Sequence, residues 1–460
     1  MIQNKFTLWI ALCIIILIGF WLRLENLDIY PPGISNDEAV NTIDAFHFIK
    51  TGNFPLYQDR GRPDPLFRFM QAIGSATYGN SIWAFRLTSV FFGTLTIAAA
   101  YFAAFQCLRD VPPKTRRIAA LGAAIVIAVA VGHITVTRST YRAVPQPLFM
   151  FLAIGFLMRG LQFNRWRDFV WSGVWVTAGL YTYTAALMIP LAFFPLGLHL
   201  LIQRWKTLPK WLPRFIMVGV TTAILCIPIA YVLISTPEAL TGRASTVSES
   251  ADEIPRQIRG VVEQLYSKGD ENPQYNVAQA PLIPGSFVPL FTLGLIALLI
   301  RFRQLSTTFI FALLFVSALP VVLADELSHG LRIIGEYAVF PLVIAVAVSS
   351  ILTALTWILS AFHEPPLHNW LYRSVVLLLM VGFAWEAVSS RNLYAQYWAQ
   401  PNNWQLWSVH GFSLDHNEWF FRTDRRDFAQ WIVEQKTPLL IPISELAKPT
   451  TRSCRFSIQV

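Results

Sequence analysis

The stretch from Phe6 to Glu38, FTLWIALCIIILIGFWL followed by RLENLDIYPPGISNDE, decides the fold. Its first half, Phe6 to Leu22, carries no charge and is close to the roughly 20 apolar residues that cross a hydrocarbon core of about 30 Å. The second half is polar and turn-forming, so the chain leaves the bilayer there and brings Asp37 and Glu38 to its surface. Pro31-Pro32-Gly33 reads as a turn, and Ser35-Asn36-Asp37-Glu38 as a capping box in which Ser35 is the N-cap and Glu38 reaches back to its backbone N–H. Acids in a first helical turn are favoured by the helix dipole whatever else they do. A carboxylate held there is also placed to act as general base toward an attacking hydroxyl. The two accounts are compatible for Glu38 and compete over Asp37.

The apolar pattern recurs along the chain. Of 460 residues, 54% are hydrophobic and only 14% charged, against about 25% charged in ordinary soluble domains. This is the composition of an all-α, multi-pass integral membrane protein, and its 16 Trp suit the many helix ends at a membrane–water interface. Spans are expected near 6–22, 82–106, 118–134, 146–158, 169–185, 187–202, 215–234, 286–300, 306–323, 337–360 and 374–389. The net charge of +9 lies in the short loops between them, which excludes a nucleic-acid partner as its explanation. Cys13, Cys107, Cys226 and Cys454 are far apart and imply neither a disulfide framework nor a zinc motif.

With the N-terminus inside, the loops 109–117, 159–168 and 203–214 fall on the cytoplasmic side, each rich in Lys and Arg as the positive-inside rule asks. The first span lacks a small-residue cleavage site and reads as a retained signal-anchor. The same topology sends residues 23–81 and 235–285 outside. In the first of these, Ala39, Val40, Ile43, Phe46 and Ile49 form a helical stripe ended by Gly52, and Pro65 to Tyr78 is similar in kind. Two amphipathic helices on the bilayer surface are expected. Asp64, between Pro63 and Pro65, would sit at the start of the second, as an N-cap or as a further catalytic acid.

These residues carry a resemblance. Leu22-Arg23, Pro32-Gly33, Asp37-Glu38, Asp64-Pro65-Leu66-Phe67, Phe85-Arg86-Leu87 and Gly93-Thr94-Leu95-Thr96 follow one another as in the multispanning GT-C glycosyltransferases. The branch that the chain resembles is the bacterial family 39/83 group, relatives of protein O-mannosyltransferases and of the lipid A aminoarabinose transferase. The likeness continues through Thr137-Arg138-Ser139-Thr140-Tyr141-Arg142, Gly179-Leu180-Tyr181-Thr182-Tyr183-Thr184-Ala185-Ala186, Gly269-Asp270-Glu271-Asn272-Pro273-Gln274-Tyr275-Asn276 and Leu331-Arg332-Ile333-Ile334-Gly335. It implies residues 1–390 as a GT-C transmembrane domain and a transferase that moves a sugar from a polyprenyl-phosphate carrier to a protein, lipid or glycan hydroxyl. The active site would be extracytoplasmic, at the plasma membrane of a prokaryote.

By the same resemblance Asp37 is the base, Glu38 supports it and Asp64 matches a second acid. Tyr181 and Tyr183 fall in a substrate-binding motif, and Asp270 and Asn276 in a loop that covers the site, where carboxylate and amide groups discriminate sugar hydroxyls. One departure stands out: Leu187 precedes Met188, Ile189 and Pro190 where the family commonly has an arginine before the proline. A polyprenyl phosphate leaves well, so no protein nucleophile and no cofactor is required, but its charge needs guanidinium partners near a low-dielectric surface. Arg138, Arg142, Arg243 and Arg332 all fall outside and are the candidates. Each alone also reads as an interfacial arginine. Asp37, Glu38, Asp64 and His329 share that side, yet no spacing among them demands a metal; a divalent cation is left open.

Residues 391–460 read as a small external α/β region, with a helix over 424–435 and a short strand over 438–443. The rival classes are a lipid-linked sugar transporter or flippase and a polysaccharide polymerase or ligase. Transporters place ionisable groups at mid-membrane in broken helices, whereas the acids singled out above cluster outside.

Overall fold

The computed structural model describes residues 5–31, 35–52, 65–79, 81–235, 253–324, 330–360 and 365–399. The first six helices are α1 (Lys5–Leu24), α2 (Asn36–Thr51), α3 (Pro65–Tyr78), α4 (Ile82–Cys107), α5 (Pro113–Val129) and α6 (Val131–Thr137). Next come α7 (Gln146–Phe163), α8 (Trp166–Leu180), α9 (Phe193–Arg204), α10 (Leu208–Leu225) and α11 (Ile227–Ser235). The last five are α12 (Ile254–Tyr266), α13 (Val288–Ile300), α14 (Leu305–Val322), α15 (Phe340–Ser360) and α16 (Pro365–Ala399).

Helix ends fall where local chemistry puts them. Ser35 caps α2 in a complete capping box with Glu38, and Gly52 closes the helix in the left-handed region at φ 67°, a conformation glycine adopts without cost. Ser81 caps α4 through the Ala84 amide. The helices α2 and α3 occupy the residues read as surface helices. They pack on each other, α3 on α4, and a buried Arg68–Asp44 ion pair at 3.2 Å ties the first two together.

Each of the eleven apolar stretches is helical over most of its length. Among the described residues six helices are long and apolar enough to cross a membrane, or eight if two bent pairs each count as one span. The bent pairs are α5 with α6, at 58°, and α10 with α11 preceded by the short turn from Trp205, at 53°. The stretches at 169–185, 187–202 and 286–300 form shorter helices, of which α8 has 15 residues and α13 has 13; the count of eleven full-length spans is therefore not reached by length alone. The core lies where α4, α5, α7 and α15 meet. Small residues let these backbones approach, which is what drives helix association where lipid is as apolar as the side chains: Ala119, Ala120, Ala123, Ala124 and Ala128 on α5 are all fully buried. A Cβ on Gly294 of α13 would lie 2.4 Å from the Val343 carbonyl of α15, so that contact is backbone on helix and admits no larger residue.

The helix α16 departs from expectation at its end. It runs to Ala399, ten residues past the span read at 374–389. The external region is expected from residue 391, yet Tyr394 and Trp398 pack on Val277 with Tyr30 and Tyr397 alongside, and this gives the extra turns a surface to bury. The helix and strand read over 424–443 lie outside the described residues.

Candidate active site

The segment that leaves α1 is held by guanidinium groups. Arg138, only 2% exposed, donates to the carbonyls of Leu22, Glu25, Asn26 and Tyr30 at 2.7–3.2 Å. Arg86 of α4 donates to those of Leu27 and Pro31 at 3.2 and 3.0 Å. Carbonyls at a helix exit need donors, and a buried one left without a partner costs about 1–3 kcal/mol. The two arginines supply them and so fix where α2 begins. Deeper in the bundle, Arg23 bonds Gly19, Ile127 and Ala128 carbonyls and the His133 Nδ1, which satisfies part of the backbone at the α5–α6 break. Gly93 makes room for it: a Cβ there would stand 3.0 Å from the Arg23 Nε.

Glu38 completes the frame. Its two oxygens face Arg86 Nε and Nη2 at 3.1 and 3.2 Å, a bidentate pair with both side chains within 2% of full burial. The same carboxylate accepts from the Thr140 amide at 3.0 Å and from Ser35 N at 3.2 Å. Asn41 donates to the Thr140 carbonyl at 2.8 Å, and the Tyr141 hydroxyl to Ser35 Oγ at 3.2 Å. The turn between α6 and α7 is thereby fastened to the first turns of α2 at several points. Glu38 is fully engaged in this work.

Asp37 is not. It is half-buried, one residue earlier on the same turn, and among the described residues its recorded hydrogen bond is a long one from the Tyr275 hydroxyl, 3.5 Å from Oδ2. Tyr275 packs edge-on against Tyr141 at 5.4 Å between ring centroids. Desolvation and the Asp37 carboxylate push the Tyr275 phenol well above its ordinary value, with Tyr141, Asp270 and Tyr183 adding to this. Burial, then Glu38, does the same for Tyr141. Both remain hydroxyl donors wherever Asp37 is a carboxylate. The site is thus a patch built from the α2 N-terminus, the α6–α7 turn, the loop before α13 and Tyr183.

Several residues singled out by sequence have other work. Asp270 accepts from the Asn272 amide at 2.8 Å and the Gly330 amide at 2.5 Å, so its two oxygens tie the loop to the segment leading into α15. Asn276 bonds the Ala280 and Asp270 carbonyls and the Val277 amide, and Tyr181 sends its hydroxyl to the Leu225 carbonyl at 2.8 Å. Both terminal nitrogens of Arg138 are on backbone carbonyls, and its side chain is buried. Arg142 and Arg332 are partly exposed: the first directly follows Tyr141, the second lies two residues beyond Gly330. Asp64, Arg243 and His329 lie outside the described residues. Among the described residues no group of three or more His, Cys, Asp or Glu is placed to hold a metal ion.

Arg86 and Tyr275 carry roles in the structure that the motifs containing them do not assign. For Arg86 the signal was present: an arginine five residues into an apolar stretch needs a buried partner, and Glu38 is an acid close by in sequence. Tyr275 gave no such signal. Replacing Asp270 by Asn turns an acceptor into an amide donor against a backbone N–H. We expect faster hydrogen exchange across Gly330 to Ile333, with local protection lowered by about 1–3 kcal/mol; unchanged exchange there would remove Asp270 from this role.

Comparisons agree with this architecture. Residues 61–232 match the family model described as dolichyl-phosphate-mannose-protein mannosyltransferase. No curated protein sequence matches the chain. Among solved structures, the Archaeoglobus fulgidus oligosaccharyltransferase tethered with an acceptor peptide is similar at a TM-score of 0.59 and 13% identity, over 95% of this chain and 61% of its own. The chain therefore spans about three fifths of that protein. The archaeal oligosaccharyltransferase AglB from the same organism, in complex with an inhibitory peptide and a dolichol-phosphate, gives 0.56 and 13% over 95% and 61%. ArnT from Cupriavidus metallidurans bound to undecaprenyl phosphate gives 0.55 and 14%, over 95% of this chain and 82% of its own.

Proposed function

We propose that this chain, a member of the GT-C superfamily of membrane glycosyltransferases, moves a sugar from a polyprenyl-phosphate donor to a hydroxyl acceptor on the extracytoplasmic face, with inversion. The acceptor oxygen attacks the anomeric carbon, the bond from that carbon to the phosphate oxygen breaks, Asp37 takes the hydroxyl proton, and the polyprenyl phosphate departs. The observation that carries this reading is the division of labour in one helical turn: Glu38 is consumed by Arg86, Ser35 and Thr140, while Asp37 stays half-exposed beside a tyrosine donor. A base needs reach to its proton and freedom from a competing ion pair.

Arg142 and Arg332 are the guanidinium groups we assign to the donor phosphate, and Asp64 is retained as a second acid from the family resemblance. The prenyl-phosphate class of donor is supported by the undecaprenyl phosphate in the ArnT structure and the dolichol-phosphate in that of AglB. The test is direct. Purified protein is given polyprenyl-phosphate sugars with peptide, lipid and glycan acceptors, and release of the lipid phosphate is followed. Acceptor-dependent release supports transfer; counterflow of labelled lipid without acceptor would instead make the protein a flippase. Tyr275→Phe is expected to slow turnover by about tenfold or less, because a hydrogen bond this long contributes no more than about 1 kcal/mol; a loss as large as that of an Asp37 variant would make Tyr275 part of the chemistry.

A further inference from the structure

One buried acid takes no part in the site above. Glu336 lies in the 3-10 turn Ile334–Ala338, between the Leu331-Arg332 segment and α15, and is 0% exposed. Its Oε1 is 2.7 Å from Ser317 Oγ of α14, and its Oε2 has no protein partner. Ser317 Oγ is also 2.6 Å from the Leu313 carbonyl. A serine has one proton to give. If Glu336 were a carboxylate, two acceptors would face that single O–H at short range, and one would be left in repulsion with the hydroxyl oxygen. If Glu336 is protonated, both contacts are made: its O–H donates to Ser317 Oγ, and Ser317 donates to Leu313.

The surroundings agree. The turn packs on α7, α14 and α15. Along α14 and α15 no residue is titratable. On α7 the one charge, Arg159, is in an ion pair with Asp168 at 2.5 Å, and a Cβ on Gly335 of the turn would lie 3.4 Å from Gln146 Nε2 and 3.7 Å from Met150 Sδ; the His133 ring, which Arg23 bonds, faces Tyr337 at 5.2 Å between centroids. Among the described residues no cation pairs with Glu336, and an isolated carboxylate in such a place is heavily penalised.

We propose that Glu336 is a positioning residue that acts as a neutral carboxylic acid, its O–H bolting the Ile334–Ala338 turn to α14 and thereby holding Arg332, four residues earlier, toward the donor phosphate. The protonation state and the bolt stand on geometry alone; the effect on donor binding rests on the function proposed above. Glutamine is the discriminating substitution, since its amide N–H can donate to Ser317 Oγ in the same shape.

The full chain in lipid nanodiscs is compared by infrared difference spectroscopy with Glu336→Gln, where loss of a protonated-carboxyl C=O band is expected. Loss of carboxylate bands instead would overturn the proposal. Kinetically, Glu336→Gln should stay within about twofold of the parent, whereas Glu336→Leu and Ser317→Ala should raise the donor KM by about tenfold with a smaller change in kcat, the size of one net hydrogen bond. Equal losses in Gln and Leu variants would also overturn it, and Ser317→Ala carries the kinetic arm if the Leu variant does not fold. If the parent transfers no sugar at all, the functional reading and the donor-binding clause fall together, while the infrared result still decides the state of Glu336.

Discussion

Asp37→Asn is expected to lower turnover by about 10²–10⁴-fold, the range that general-base catalysis contributes, with the donor KM little changed. The substitution keeps size and the place on the first turn of α2 and removes the capacity to accept a proton, together with a charge whose interaction with the helix dipole is worth about 0.3–1 kcal/mol. It leaves the ion pair of Glu38 and Arg86 untouched, so the folded state should be preserved. The pairing of a little-altered unfolding midpoint with a collapsed kcat is what separates chemistry from structure here. Steady-state release of polyprenyl phosphate measures the first and thermal unfolding in detergent the second. A variant that turns over at the parent rate would take Asp37 out of the mechanism.

The opposite signature is expected one helix away. Arg86→Met should destabilise the protein by about 3–5 kcal/mol, because removing one member of a buried, bidentate pair strands the other charge. Arg86 also carries the carbonyls of Leu27 and Pro31, so the connection from α1 to α2 loosens and the Asp37 turn loses its position; activity falls with stability. Glu38→Leu added to Arg86→Met should recover part of the stability, since no lone charge is then buried, but not all of it, because Glu38 also serves the Ser35 and Thr140 amides. The coupling in that double-mutant cycle measures the pair itself. An Arg86→Met protein that unfolds at the parent temperature would sink this account.

What was legible beforehand follows from the range of the interactions involved. The start and end of α2 could be read because both caps are local: Ser35 with Glu38 three residues on, and Gly52 immediately after the last turn. The surface helices and most span positions rest on periodicity and apolar length, which are also properties of short windows. The carbonyl bonds of Arg138 were not legible because sequence puts an arginine in a turn without saying which way it faces, and here it faces four carbonyls more than a hundred residues away. The backbone bonds of Asp270 and Asn276 were likewise hidden, because polar residues in a turn look alike whether they bind a ligand or a backbone. The end of α16 was set too early for a related reason: Tyr394 and Trp398 find their partner, Val277, only in the folded chain.

That last helix also bears on how the protein is made. Ser390 of α16 donates at 2.6 Å to the Val129 carbonyl at the α5–α6 break, a partner 261 residues earlier; Glu386 accepts from the Ser286 amide at 2.7 Å; and Arg391 pairs with Glu25 at 2.6 Å. At about 5–20 residues per second of synthesis, the break waits on the order of tens of seconds for its donor. The early spans enter the bilayer as an unfinished assembly whose exposed carbonyl is met by solvent, lipid headgroup or insertion machinery until α16 arrives. Biogenesis therefore has a closing step, and catalytic competence should appear only after it, however long the N-terminal half has been in the membrane.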